Sequence, residues 1–104
     1  MAARGENVLL VDVRERKDYE QSHARGAVSL PYHGFDTTYP EFASRVPLDK
    51  RILLYCYGTK CGLSARVATR LVERGYTRVV IVRNGFDAWT AAGLPVASER
   101  QKEE

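Results

Sequence analysis

Short apolar runs alternate along the chain with stretches whose apolar residues recur every three or four positions. Residues 8–11, 52–55 and 79–82 are each four consecutive apolar side chains, as expected of strands covered on both faces of a parallel sheet. A shorter and weaker run spans 27–30. Helical spacing marks 16–21, 39–46, 63–74 and 86–92. Strands alternating with helices imply right-handed βαβ crossovers. The fold class predicted is α/β, a three-layer sandwich in which helices flank a central, mainly parallel sheet of four to five strands.

The helix over 63–74 is the best defined. Leu63, Val67, Ala68, Leu71 and Val72 form its apolar face, Arg66, Arg70, Glu73 and Arg74 its polar one, and Gly75 supplies a left-handed stop. Its N-terminus points back along Cys56-Tyr57-Gly58-Thr59-Lys60-Cys61-Gly62, so Cys56 sits where a buried strand gives way to a loop feeding a helix. Main-chain N–H groups curling toward a helix N-terminus form a concave donor cradle, and the helix dipole adds partial positive charge. A thiolate at its floor is stabilised, which lowers the cysteine pKa from about 8.5 and yields a nucleophile able to hold an anionic adduct. Gly58 and Gly62 permit the sharp turn and close approach this requires.

A chain of 104 residues is one domain, expected over 1–97 with a charged, frayed tail over 98–104. The apolar share of 44% and charged share of 28% suit a globular protein. No apolar run reaches the roughly 20 residues of a membrane helix and no secretory signal opens the chain, so a cytoplasmic setting and no membrane association of this segment are expected. The net charge of +3 comes from scattered basic residues, which argues against nucleic acid and fits anionic small substrates. Cys56 and Cys61, the two cysteines, form a C-x4-C pair. That spacing admits a redox-formed bridge or a nucleophile with a neighbouring thiol. A metal site is disfavoured because His23 and His33 lie far away in sequence.

Several segments taken in order resemble the rhodanese-type sulfurtransferase domain. They are Leu10-Val11-Asp12-Val13-Arg14-Glu15, Tyr19-Glu20, His23-Ala24-Arg25-Gly26-Ala27, Tyr55-Cys56, Asn84-Gly85-Phe86-Asp87-Ala88-Trp89 and Gly93-Leu94-Pro95-Val96. The resemblance implies a rhodanese-like fold, no cofactor, and sulfane-sulfur transfer through a Cys56 persulfide. The donor would be thiosulfate or a persulfide, the acceptor cyanide or a thiol, and a protein could serve as either. Domains of this family begin with another strand and helix before the Asp-Val-Arg segment, so excision from a longer parent protein carrying further domains is expected over an unusually short domain.

Cys56 is therefore the candidate catalytic residue. Tyr57, Gly58, Thr59, Lys60, Cys61 and Gly62 are the candidate substrate-binding residues, chiefly through main-chain N–H groups. Asp12 and Arg14, at the carboxyl end of the first strand, are expected to support the loop rather than react, and Glu15 to be solvated. His23 reads as a hydrogen-bonding turn residue and Trp89 with Phe86 as core. Lys60 and Arg66 are the cations nearest the loop in sequence. Cys61 has three open readings: a resolving thiol, a loop residue, or merely a small side chain. The family's pattern places an arginine in the loop that is missing here, and Ser64 follows two residues later than in that pattern. This weakens an expectation of thiosulfate preference and leaves persulfide transfer intact. Two other readings keep the same loop: a redox-sensing or docking module without turnover, and an arsenate reductase or phosphatase-like enzyme, which the missing arginine disfavours.

Overall fold

The computed structural model describes residues 8–57, 62–82, 85–93 and 96–97. The charged tail 98–104 and four residues of the cysteine loop, Gly58, Thr59, Lys60 and Cys61, lie outside them. The elements run β1 (Val8–Asp12), α1 (Arg16–Gln21), β2 (His23–Ala24), β3 (Val28–Ser29), α2 (Phe35–Arg45), β4 (Arg51–Tyr55), α3 (Leu63–Glu73), β5 (Val79–Ile81), α4 (Gly85–Ala91) and β6 (Val96–Ala97). Four strands pair in parallel in the order β3-β1-β4-β5. The registers Asp12 opposite Tyr55 and Asp12 opposite Ser29 bring three carboxyl ends to one edge. β2 and β6, which no periodicity announced because each is two residues long, form a separate antiparallel pair.

The two-residue period of a strand separates the core into two layers. Val11, Val13, Ile52, Leu54 and Cys56 share one parity and pack with Phe35 and Phe42 of α2 and Val67 and Leu71 of α3. Tyr55 and Leu10, of the other parity, pack with Tyr19 of α1 and Phe86 and Trp89 of α4. Trp89 and Phe86 thus take the packing role expected of them.

Local chemistry explains where the elements begin and end. α3 stops as its sequence requires: Gly75 adopts φ 102, its N–H bonds Val72 O at 3.0 Å, and the Tyr76 N–H bonds Leu71 O at 3.1 Å. This paired arrangement satisfies the last carbonyls. α2 begins four residues before the predicted start. Gly34, at φ 92, turns the chain ahead of it, and the buried Phe35 stacks on Tyr39 with ring centroids 5.2 Å apart. Pro40 is accommodated inside the helix.

Two expectations are corrected. β5 is not covered on both faces: it is the outer strand, and Val80, Ile81 and Val82 are all exposed. Val72 leaves the apolar face of α3 and is 58% exposed, while Ser64 joins Val67 and Leu71 on its buried side.

Leu54 is fully buried in β4, between β1 and β5. Leu54→Ala should destabilise the fold by about 2–5 kcal/mol through lost burial and a residual cavity. In urea titrations this should appear as a lowered midpoint with an unchanged slope.

Candidate active site

The carboxyl edge of the sheet is extended beyond its strands by a short ladder. Val13 N–H bonds Tyr55 O at 3.1 Å, Leu30 N–H bonds Asp12 O at 2.9 Å, and Tyr32 N–H bonds Val13 O at 3.1 Å. On the other side Phe86 N–H bonds Cys56 O at 2.9 Å, which fixes the Cys56 backbone to the start of α4. Cys56 is 2% exposed, and parity directs its side chain to the face lined by α2 and α3. Its sulfur is disulfide-bonded. Cys61, the chain's other cysteine, lies outside the described residues.

On the opposite face the same edge holds a buried ion pair. Arg14 donates through Nε to both Asp12 carboxylate oxygens at 3.1 Å and through Nη2 to Oδ2 at 2.8 Å; its main-chain N–H adds a bond to Oδ1 at 2.8 Å. The same Nη2 donates to the Ser22 carbonyl. Its guanidinium lies 4.2 Å from the Phe86 ring centroid and within 6 Å of the Tyr55 and Tyr57 rings. Burial works against the Arg14 charge, yet the hydrogen bonds and charge of Asp12 outweigh it and hold the pKa above its ordinary value. Burial, reinforced by the Asp12 charge, pushes the Tyr55 hydroxyl well up, so it stays protonated while its oxygen accepts Ala24 N–H at 2.9 Å.

Tyr57 follows the cysteine on the exposed side. Its hydroxyl donates to the Asp18 carboxylate in α1, and burial together with that bond raises its pKa. Glu15 N–H reaches the same oxygen at 3.4 Å. The Tyr57 side chain is thus engaged with α1 and the Arg14 guanidinium. Glu15 is not simply solvated: its carboxylate meets His33 Nδ1 at 2.8 Å. His23 is a buried turn residue, its Nδ1 2.7 Å from Tyr19 O and its ring stacked on Tyr19 at 3.8 Å.

The first turn of α3 completes the site. Gly62 stands at its N-cap and provides no side-chain cap, and no acidic residue occupies the first turn. The positive end of the helix is thus unopposed by a local carboxylate. Ser64 is 3% exposed and its Oγ has no hydrogen-bond partner among the described residues. An orphaned hydroxyl there costs about 1–3 kcal/mol, so its placement calls for an acceptor. The signal was present in sequence as a serine three residues before Val67, on the apolar side of an amphipathic helix.

Cys56 and Tyr57 thus stand at the same sheet edge as the pair Asp12 and Arg14, Gly62 stands at the start of α3, and Gly58, Thr59, Lys60 and Cys61 lie outside the described residues. Among the described residues no group of three His, Cys, Asp or Glu side chains could hold a metal, and no helix is long and apolar enough to cross a membrane. A cavity of about 470 Å³ beside α2, lined by Leu9, Val28, Phe42 and Val46 among others, includes none of the site residues.

Comparison with known proteins places this geometry. The sequence matches the Rhodanese-like domain family over residues 1–92. It is 37% identical over 92 residues to the thiosulfate sulfurtransferase GlpE of Actinobacillus succinogenes, covering 88% of this chain and 77% of that protein. The GlpE protein of Haemophilus influenzae is 36% identical, with 88% and 81% covered. The BH2092 protein of Bacillus halodurans superimposes with a TM-score of 0.80 at 26% identity, over 93% of this chain and 69% of that one. A thiosulfate sulfurtransferase of Pseudomonas aeruginosa does so with a TM-score of 0.73 at 28% identity, over 88% of this chain and 17% of that one.

Removing one member of the buried pair should be costly. Asp12→Ala strands the Arg14 charge and should destabilise by about 3–5 kcal/mol, whereas the double variant Asp12→Ala with Arg14→Met should recover a substantial part of that loss. Chemical denaturation of the three proteins measures both effects.

Proposed function

The chain belongs to the rhodanese-like domain family, and we propose that it is a sulfurtransferase carrying sulfane sulfur on Cys56. The observation that carries this reading is the placement of Cys56: buried at the carboxyl end of a central strand, on the face shared with α3, whose first turn has no carboxylate and holds an unpartnered Ser64 hydroxyl. Relatives over most of the chain are named thiosulfate sulfurtransferases.

Reduction of the Cys56 disulfide by an external thiol first frees the nucleophile. The Cys56 thiolate then attacks the outer sulfur of a donor such as thiosulfate. A sulfur–sulfur bond forms to Cys56 as the donor's own breaks, so that sulfite departs and Cys56-S-S⁻ remains. Cyanide or a thiolate next attacks the outer sulfur and leaves as thiocyanate or a new persulfide, returning the thiolate. The charge to be stabilised stays on sulfur throughout. Main-chain N–H groups from Tyr57 to Gly62, the dipole of α3 and the Ser64 hydroxyl are the donors suited to that task.

Cys56 also favours a second reading. Its disulfide is the chemistry of a redox-sensing module, in which oxidation of the thiol rather than turnover is the signal.

Intact-mass measurement separates the two. After reduction and removal of the reductant, thiosulfate should add the mass of one sulfur atom to the wild type and nothing to Cys56→Ser. A reduced wild type that gains no sulfur from thiosulfate or from a persulfide donor overturns the transfer reading and leaves the sensor. Ser64→Ala should keep the fold and form the same adduct about ten-fold or more slowly, the loss expected of one preorganised donor.

A further inference from the structure

β3 ends the strand order among the described residues, so only one of its edges is paired. Leu30 N–H bonds Asp12 O at 2.9 Å, and the registers Val11 opposite Val28 and Asp12 opposite Ser29 keep the bonds to β1 on Val28 and Leu30. The N–H and C=O of successive residues in a strand point to opposite edges. Those of Ser29 therefore point away from β1, and neither has a partner among the described residues. Ser29 is partly exposed although its Oγ is buried, so what it presents outward is its main chain and Cβ.

This edge opens into the cavity of about 470 Å³ beside α2, a size within the roughly 300–1,000 Å³ of ligand sites. Val28 and Ser29 both line it. Being consecutive, they face opposite sides of the sheet, so the cavity wraps the outer edge of β3 instead of lying on one face. Its apolar wall is Leu9, Val28, Phe42 and Val46, all of the core layer shared with α2. Its charges do not balance. Arg16 and Arg45 are held by Glu20 at 3.1 Å and Glu41 at 3.0 Å, whereas Lys50 has no carboxylate partner among the described residues. Lys50 lies just before Arg51, which opens β4 opposite Val8, while Ser29 stands opposite Asp12. The four residues from Val8 to Asp12 span about 13 Å, so one molecule that meets both Ser29 and Lys50 is extended along the strand.

We propose that the outer edge of β3 is a docking site for a peptide C-terminus, which adds to the sheet as an antiparallel strand and delivers its carboxylate to Lys50. The direction follows from the charges, because a carboxylate at the amino end of the sheet requires a peptide running opposite to β3. In an antiparallel pair one peptide residue exchanges both main-chain bonds with Ser29. The residue after it then faces the side of Val28, where an apolar side chain meets Leu9 and Phe42. Main-chain pairing supplies affinity, and the wall and the ammonium supply selectivity for an apolar residue close to a free carboxylate. The site includes no part of the cysteine loop and stands whether or not sulfur is transferred.

Protein-observed NMR titrations of the full chain with N-acetyl-Ala-Leu-Gly, as free acid and as C-terminal amide, test this on wild type, Lys50→Met and Ser29→Pro. On wild type the acid should give saturable shifts centred on the amides of Leu9, Ser29 and Phe42. The amide form should bind about ten-fold more weakly, the usual worth of a hydrogen bond to a charged group. Lys50→Met should weaken the acid about ten-fold and leave the amide form within about two-fold of its wild-type affinity. Ser29→Pro removes the outward N–H and leaves the pairing to β1 in place, and should weaken both forms about five-fold. Absence of a saturable shift at these amides with the acid overturns the site. So does equal binding of acid and amide by wild type, or a Lys50→Met that weakens both forms equally, which would mark a structural change. The comparison of acid with amide needs no substitution, so it decides the matter even where a variant fails to fold.

Discussion

A charge buried next to a strand end has to be answered on every side, and the Asp12–Arg14 pair is answered by nearly every element near the site. Asp12 comes from β1, the Ser22 carbonyl from the turn after α1, Phe86 from α4, and Tyr55 and Tyr57 flank the cysteine itself. Desolvation of such a pair is expensive, and its attraction recovers the cost only when geometry and extra hydrogen bonds are complete. The pair is therefore better understood as a device that fixes where these segments sit than as a source of net stability. Neither residue needs to touch a substrate for the site to depend on both.

On the other side of the sheet the logic reverses. There the core is aliphatic and aromatic, the Ser64 hydroxyl has no partner among the described residues, and the first turn of α3 carries no side-chain cap. One face of the edge is saturated with hydrogen bonds; on the other the proposed transfer would draw on donors that the protein leaves unpaired. Electrostatic catalysis needs that asymmetry, because donors already satisfied by the protein have nothing left to give.

Much of this was readable from the residues alone. Apolar runs located β1, β4 and β5, and the 3.6-residue period located α3 with its Gly75 stop, because burial and helix termination act through a few neighbouring residues. The Asp-Val-Arg segment and the cysteine lie at the carboxyl edge of the sheet, as their positions after apolar runs implied. What escaped was what depends on distant partners. Phe35 belongs to α2 because it finds Tyr39 and the core, the pairing of β2 with β6 joins residues more than 70 positions apart, and Ser64 is buried because its helix face meets the sheet. β5 reads as fully covered from composition, but its place at the end of the strand order decides its exposure, and strand order is not written in any local window.

The alternation of side chains along β4 carries a consequence for how this protein can change over time. Tyr55 and Cys56 are neighbours in sequence and face opposite layers, one the ion pair and the other the helix that receives the sulfur. Losing or gaining a single residue anywhere in Arg51–Tyr55 would exchange them, sending the thiol into the aromatic and ionic layer and the phenol toward α3. Individual side chains in that strand can drift; its length is held at a fixed odd or even count, so point substitution is open to evolution here and insertion or deletion is closed.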